Sequence, residues 1–278
     1  ESLGCRFVAS AVGGLRIPSA LASTFASVHG SDGVRCVSPS GLPTGWARVE
    51  LSSFGVTLRS GGSFYVHAGM HVSALHPSAG PVSGGTRVAV SGASFGDAST
   101  LRCRFESSGA TVAARALSGG QLECASPPSR GAGSRAVEVS MNGQQFSSSG
   151  VAYEYRPQPS VSSLSPSSGA AEGGTPVTVL GSGFSASAEA AGELLCRWNA
   201  SVVRALYVSE HALVCNTSRG DEAGYVSLEV TSNGREFTSS GVAYELVRVS
   251  VSDVVPWSGP VGGATVVTIG GARLGGAS

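Results

Sequence analysis

A chain of 278 residues is enough for about two domains by length alone, and its 18 basic and 18 acidic residues cancel to a formal net charge of zero. All the basic residues are Arg and only 13% of the chain is charged, which argues against a sequence-independent grip on nucleic-acid phosphates. No apolar run reaches the ~18–20 residues of a membrane-crossing helix, while 41% hydrophobic residues with 6% aromatics are enough for ordinary cores.

In chain order, the first strand signal is Leu3-Gly-Cys5-Arg-Phe7, followed by Cys36-Val-Ser-Pro39 and Gly62-Ser-Phe-Tyr65. Next comes Pro77-Ser-Ala-Gly80-Pro-Val-Ser-Gly84-Gly85-Thr86-Arg-Val88-Ala-Val90-Ser-Gly92-Ala-Ser-Phe95. Here Val88 and Val90 alternate with Arg87 and Ala89, the period of a half-buried strand, between glycine turns. Leu101-Arg-Cys103-Arg-Phe105, Cys124-Ala-Ser-Pro127 and Ser149-Gly150-Val-Ala-Tyr153-Glu-Tyr155 complete the unit. The opening run returns as Pro166 to Phe184 and again as Pro256 to Leu274, at Pro-to-Pro steps of 89 and 90 residues. Leu195-Cys196-Arg-Trp198, Cys215-Asn-Thr-Ser218 and Ser240-Gly241-Val-Ala-Tyr244 repeat the rest.

The repeats divide the chain into the back part of one unit (1–67), two whole units (70–155 and 158–246) and the opening of another (249–278). The expectation is an excerpt of a longer tandem array, the alternative being a complete protein with degenerate capping repeats. Within each unit, Val137–Phe146 and Leu228–Phe237 are alternating stretches broken at Asn142-Gly143 and Asn233-Gly234. That dipeptide predicts two-residue type I′ hairpins. Ala186 to Ala191 is the only helix-tempting stretch, and its shortness reads as a loop insertion. Short strands with frequent turns in units near 90 residues predict an antiparallel β-sandwich.

The Pro-x-x-Gly-x-x-x-Gly-Gly-Thr-x-Val-x-Val-x-Gly-x-x-Phe pattern resembles the opening of IPT/TIG domains, the immunoglobulin-like domains of plexins and transcription factors. The resemblance spans essentially the whole chain and implies an all-β fold of tandem early-set, seven-stranded sandwiches. Gly85 becomes Ala264 and Phe95 becomes Leu274 in the last copy, and the first unit lacks the opening motif. The family serves Rel-type transcription factors, receptor stalks, large cell-surface arrays and secreted carbohydrate-active enzymes, so the fold alone does not settle function.

The six Cys fall two to a unit at equivalent positions: Cys5 with Cys36, Cys103 with Cys124, Cys196 with Cys215. One disulfide per module is the expectation, with buried free thiols as the competing reading. Closing a loop of about 20 residues would contribute on the order of 3 kcal/mol to each module. Disulfides imply an oxidising compartment, hence an extracellular or cell-surface location, and disfavour the nuclear branch of the family.

Chemistry-bearing patterns are scarce. His67, His71 and His76 cluster between units, and His67 with His71 is either a metal pair or, the simpler reading, a polar linker. The Gly-Gly-Thr turns lack the Lys and following helix of a phosphate loop. No catalytic residue, metal or cofactor is expected. Asn199-Ala-Ser201 and Asn216-Thr-Ser218 are N-glycosylation sequons, so N-linked glycans join other proteins as expected partners, and nucleic acid does not. Arg156-Pro157-Gln158-Pro159 is a short linker stiffened by Pro.

The function these features imply is non-catalytic: a structural or adhesive segment forming a semi-rigid rod that contacts other chains in a cell-surface, cell-wall or filament-like assembly. The alternative is the ectodomain stalk of a receptor for a protein or carbohydrate ligand. An accessory module of a secreted glycan-processing enzyme is the third reading.

Overall fold

A computed structural model of the protein describes residues 3–9, 21–30, 33–54, 56–96, 100–106, 111–118, 120–219 and 223–273, which excludes Leu274 of the last motif copy. The chain divides into two units, 1–69 and 70–278.

In the first unit, β1 (Leu3–Ala9), β2 (Leu21–His29), β3 (Gly33–Cys36), β4 (Gly45–Ser53) and β5 (Val56–Val66) form one antiparallel sheet ordered β3-β2-β1-β4-β5. Among its described residues only Cys5, Phe7 and Ala47 are buried, and Phe25, Phe54 and Trp46 are exposed. Too few of its described side chains are enclosed to make a core like those of the later modules. Phe7 still meets Phe64 edge-on at 5.6 Å.

The second unit begins with β6 (His71–His76), β7 (Ala79–Pro81), β8 (Arg87–Ala93), β9 (Arg102–Phe105), β10 (Thr111–Ser118), β11 (Gln121–Ala125), β12 (Gly133–Ser140) and β13 (Ala152–Arg156). It continues with β14 (Ser160–Ser165), β15 (Ser168–Ala170), β16 (Pro176–Ser182), helix α1 (Ala186–Ala190), β17 (Leu195–Trp198), β18 (Ser201–Ser209), β19 (Ala212–Asn216), β20 (Gly224–Thr231) and β21 (Ala243–Val247). These make two modules of identical topology, ordered β6-β8-β11-β10-β9-β12-β13-β7 and β14-β16-β19-β18-β17-β20-β21-β15. Eight strands stand where seven are expected, because the first strand breaks at a cis His76–Pro77 or Ser165–Pro166 bond and its second piece pairs parallel with the last strand. A final pair, β22 (Ser250–Val255) with β23 (Thr268–Ala272), is antiparallel, and every described residue from 250 to 273 is exposed except the half-buried Gly270.

Alternation explains both cores. Val88 and Val90 of β8, Val137 and Val139 of β12, and Leu122 and Cys124 of β11 point inward and are fully or almost fully buried. Val177, Val179, Leu213, Cys215, Leu228 and Val230 repeat them in the next module. Phe105 meets Tyr153 edge-on at 5.5 Å, and Trp198 meets Tyr244 in the same way at 5.2 Å.

The motif glycines answer to the last strand. A Cβ on Gly80 would lie 2.0 Å from the Tyr153 hydroxyl and 2.5 Å from Thr86 Oγ1, and one on Gly169 would lie 2.1 Å from the Tyr244 hydroxyl. Gly, Thr and Tyr therefore sit far apart in each repeat but form one contact, with no room for a side chain at the glycine. The Arg of the Cys-Arg-aromatic strand has a similar long-range partner: Arg104 stacks over the Phe146 ring at 4.1 Å and Arg197 over Phe237 at 4.2 Å.

Two sequence expectations are corrected. Asn142-Gly143 and Asn233-Gly234 are not type I′ hairpin turns: β12 pairs with β13 and β20 with β21, each across a loop of about 11 residues. Type I′ needs positive φ at both turn residues, yet only the glycines have it, at 74° and 69°. Local side-chain bonds win instead. Asn142 Oδ1 accepts from the Gln144 and Gln145 amides, and the Ser140 hydroxyl accepts from the Gly143 amide. The second correction is α1, where a loop is expected. Alanine's high helix propensity forms one turn that ends at Gly192 (φ 71°) and buries Ala188 fully.

Candidate functional site

The strongest constellation of charged side chains is the joint between the 70–155 and 159–246 modules. It centres on Arg156, the last residue of β13, whose side chain is only 4% exposed. A buried guanidinium must fill its donor positions. Its Nε and one terminal nitrogen donate to Glu154 Oε2 at 3.0 and 2.7 Å, and the other terminal nitrogen donates to Glu193 Oε2 at 2.7 Å and to the Ser232 carbonyl. Glu193 follows α1, in an insertion that lengthens Phe184-to-Leu194 by four residues over Phe95-to-Leu101. The same insertion supplies Ser187, whose hydroxyl donates to Glu154 Oε1 at 2.7 Å.

Around this centre the loop after β20 docks on the end of the preceding module. Asn233 Nδ2 donates to the Ala79 carbonyl at 3.2 Å, Thr86 Oγ1 donates to Glu236 at 3.2 Å, and Ser83 donates to Gln158 at 3.0 Å. Asn233, Ser232 and Thr86 are all buried there. Nothing in the sequence marked Arg156 as more than a linker residue; the available hint was a lone Arg beside Glu154 at the end of an alternating strand.

Electrostatics tune the joint. Desolvation opposes the charged form of Glu154, but hydrogen bonds from Arg156 and Ser187, with the guanidinium charge, outweigh it and hold the carboxyl below its ordinary value. Burial pushes the Tyr153 phenol up, against the nearby Thr86 and Ser126 hydroxyls, and also raises Tyr155. A depressed carboxyl contributes stability that is whole above its unfolded value, 4.5, and lost as pH falls through the lower folded value. Acid is therefore expected to loosen the joint. Melting temperatures recorded from about pH 6 down to pH 3 should fall more steeply in the native chain than in Glu154→Gln.

The six cysteines pair within their modules: Cys5–Cys36, Cys103–Cys124 and Cys196–Cys215, with Cα separations of 6.1, 6.4 and 6.4 Å. In the two complete modules each bridge links the strand before β10 or β18 to the strand after it, through the core. Three disulfides belong to an oxidising compartment, and the chain is extracellular or cell-surface in location. Among the described residues, no group of three or more His, Cys, Asp or Glu gathers to hold a metal, and no helix is long and apolar enough to cross a membrane. His67 Nδ1 lies 2.9 Å from the Ala68 carbonyl, and His71 opens β6.

Both sequon asparagines are exposed. Asn199 occupies the tight turn between β17 and β18 with φ 48°, and its Oδ1 accepts from the Ser227 amide at 3.0 Å. Asn216 ends β19, where its carbonyl accepts from Trp198 Nε1 at 3.0 Å. Beside them an open cleft of about 530 Å³ is lined by Trp198, Thr217, Ser218, Tyr225 and Leu246. In the preceding module Tyr155 stands where Leu246 does, and its hydroxyl donates to the Pro127 carbonyl at 2.8 Å. The shorter Leu246 leaves that end open.

The IPT/TIG domain model matches residues 70–155 and 159–246. Plexin-2 of Caenorhabditis briggsae is 28% identical over 117 residues, which cover 42% of this chain and 6% of that protein. The full extracellular region of plexin A4 overlays with a TM-score of 0.41 at 15% identity, covering 92% of this chain and 27% of that one. The Escherichia coli adhesin FdeC overlays with a TM-score of 0.30 at 14% identity, covering 73% of this chain and 74% of that one. The chain thus spans only a small part of the length of the plexins it matches. With family matches over both complete modules and the Gly-Thr-Tyr contact repeated in each, the chain belongs to the IPT/TIG domain family.

Proposed function

We propose that the chain is a non-catalytic spacer in the extracellular part of a cell-surface protein: a semi-rigid segment that fixes the relative orientation of successive modules and offers its flanks to other proteins. The observation that carries this reading is the buried Arg156 guanidinium, bonded at once to its own module's Glu154 and to Glu193 and Ser232 of the next. A flexible tether has no use for such a joint, because ordering it costs entropy that only a fixed orientation justifies. The receptor-stalk form of the reading is favoured by the likeness to Plexin-2, and the adhesive or filament-like form remains the wider alternative. On either form Asn199 and Asn216 act as N-glycan acceptors.

The test is residual dipolar coupling on the full chain. One alignment tensor should fit the amides of 70–155 and 159–246 together. Two independent tensors would mean a flexible tether and would overturn the spacer reading.

A further inference from the structure

The two complete modules differ on one face. On the outer side of β8, β11 and β10 the aligned rows carry Arg87 with Ala125, then Ala89, Glu123 and Arg115, then Ser91 with Gln121. Arg87 and Glu123 form an ion pair there at 2.9 Å. The same rows on β16, β19 and β18 carry Pro176 with Asn216, then Thr178, Val214 and Leu206, then Leu180, Ala212 and Ser209, with Val208 in the bulge before Ser209 where the other module has Leu117. Leu180, Leu206 and Val208 are 41%, 59% and 57% exposed. An ion-paired sheet face in one module, on which Leu117 is also exposed, is thus a wider uncovered apolar face in its neighbour, a surface that normally marks a contact.

Asn216 lies on that face. Leu213 and Cys215 of β19 point into the core, so Ala212, Val214 and Asn216 share the outward phase. Ala125, at the matching position in the other module, is no sequon. Leu180, the Val214–Leu206 row and the sugar acceptor therefore occur together in one module, where the other has Ser91, Glu123 with Arg115, and Ala125.

We propose that Asn216 carries an N-linked glycan whose first sugars lie over Val214, Leu206 and Leu180 and cover this face. Two residues along a strand span about 7 Å, so the first N-acetylglucosamine reaches the Val214–Leu206 row. Its N-acetyl methyl and the C–H faces of its ring are the apolar groups that such a surface can hold, while its hydroxyls stay in water. The bulky, soluble modification then replaces the solubilising role that the Arg87–Glu123 pair plays in the first module. The inference rests on the secretory location within the function proposed above.

The test uses the full chain secreted from a eukaryotic cell line. Glycopeptide mass spectrometry should find Asn216 occupied, and nuclear Overhauser contacts should link the first sugar to the Val214 and Leu206 methyls. Ser218→Ala abolishes the sequon but keeps Asn216 and the buried Thr217 hydroxyl, which accepts from the Thr175 amide at 3.0 Å. That variant should self-associate, at least doubling its weight-average mass in sedimentation. Adding Leu206→Arg and Val214→Glu, the first module's residues, should return it to a monomer. If Ser218→Ala is not secreted, enzymatic removal of the glycan from a Ser201→Ala chain provides the same comparison. An empty Asn216 beside an occupied Asn199 would overturn this inference and leave the secretory location standing. A monomeric unglycosylated chain would overturn it equally.

Discussion

Replacing Cys103 and Cys124 together by Ala is expected to lower the melting temperature of the 70–155 module by about 15–20 °C. The closed loop has a sequence separation of 21, which in the chain-entropy account corresponds to about 3 kcal/mol. A module of this size shifts by roughly 4–8 °C per kcal/mol. Both sulfurs are buried in the core, at 0% and 1% exposure, so packing loss adds to the entropic term. Differential scanning calorimetry of the full chain should show one transition moving down while that of the 159–246 module, held by Cys196–Cys215, moves little. Equal displacement of both transitions would mean that the modules melt as one cooperative unit. An unmoved transition would mean that the bridge is not what holds the two layers together.

The second large effect is expected from Arg156→Ala. Removing a buried charge strands its partners, and breaking such a pair typically costs 3–5 kcal/mol. Here Glu154 and Glu193 keep 34% and 20% of their side-chain surface in water, so solvent recovers part of that and about 2 kcal/mol is the expected loss. The loss falls on the joint and not on either core, because the guanidinium bonds to Glu154, Glu193 and the Ser232 carbonyl at the module ends. The expected result is a shared alignment tensor that splits into two, with the core of each module keeping its own fold. Arg156→Met, which keeps volume without charge, should behave in the same way, whereas Arg156→Met with Glu193→Gln should recover part of the coupling by relieving the carboxylate pair.

Both predictions depend on features that differ in how far the sequence exposes them. The cysteines, the valine alternation and the glycine-bounded strands are local signals repeated in register, and repetition makes them readable. The turn glycines are also readable, but their physical reason is not: Gly80 is small because Tyr153, 73 positions later, places its hydroxyl against it. The Asn-Gly loops show the opposite case. The dipeptide speaks for a tight hairpin, and the neighbouring Ser140 and Thr231 hydroxyls and the Asn side-chain oxygens overrule it through bonds that pair statistics do not weigh.

The candidate sites divide along the same line. Asn199 and Asn216 are found from three residues each, since a sequon is a contiguous pattern. Whether such an asparagine stands on a polar or an apolar face is not contiguous. Val202 to Val208 carries apolar residues in both phases of its strand, with Arg204 its one charge, so the packed sandwich decides that Ala205 turns inward while Leu206 and Val208 face water. Arg156 is further from local reading still, because its partners are 37 and 76 residues away.

By itself, then, the order of residues determined the repeat, the alternation of the valine strands, the cysteine positions and the family, because each is set by backbone preference or by spacing along the chain. Only the tertiary structure decided which charge is buried, which loop docks on which module and which sheet face is left bare. Those outcomes depend on groups that become neighbours after the chain has folded, when desolvation and long-range packing, and not local propensity, set the energies.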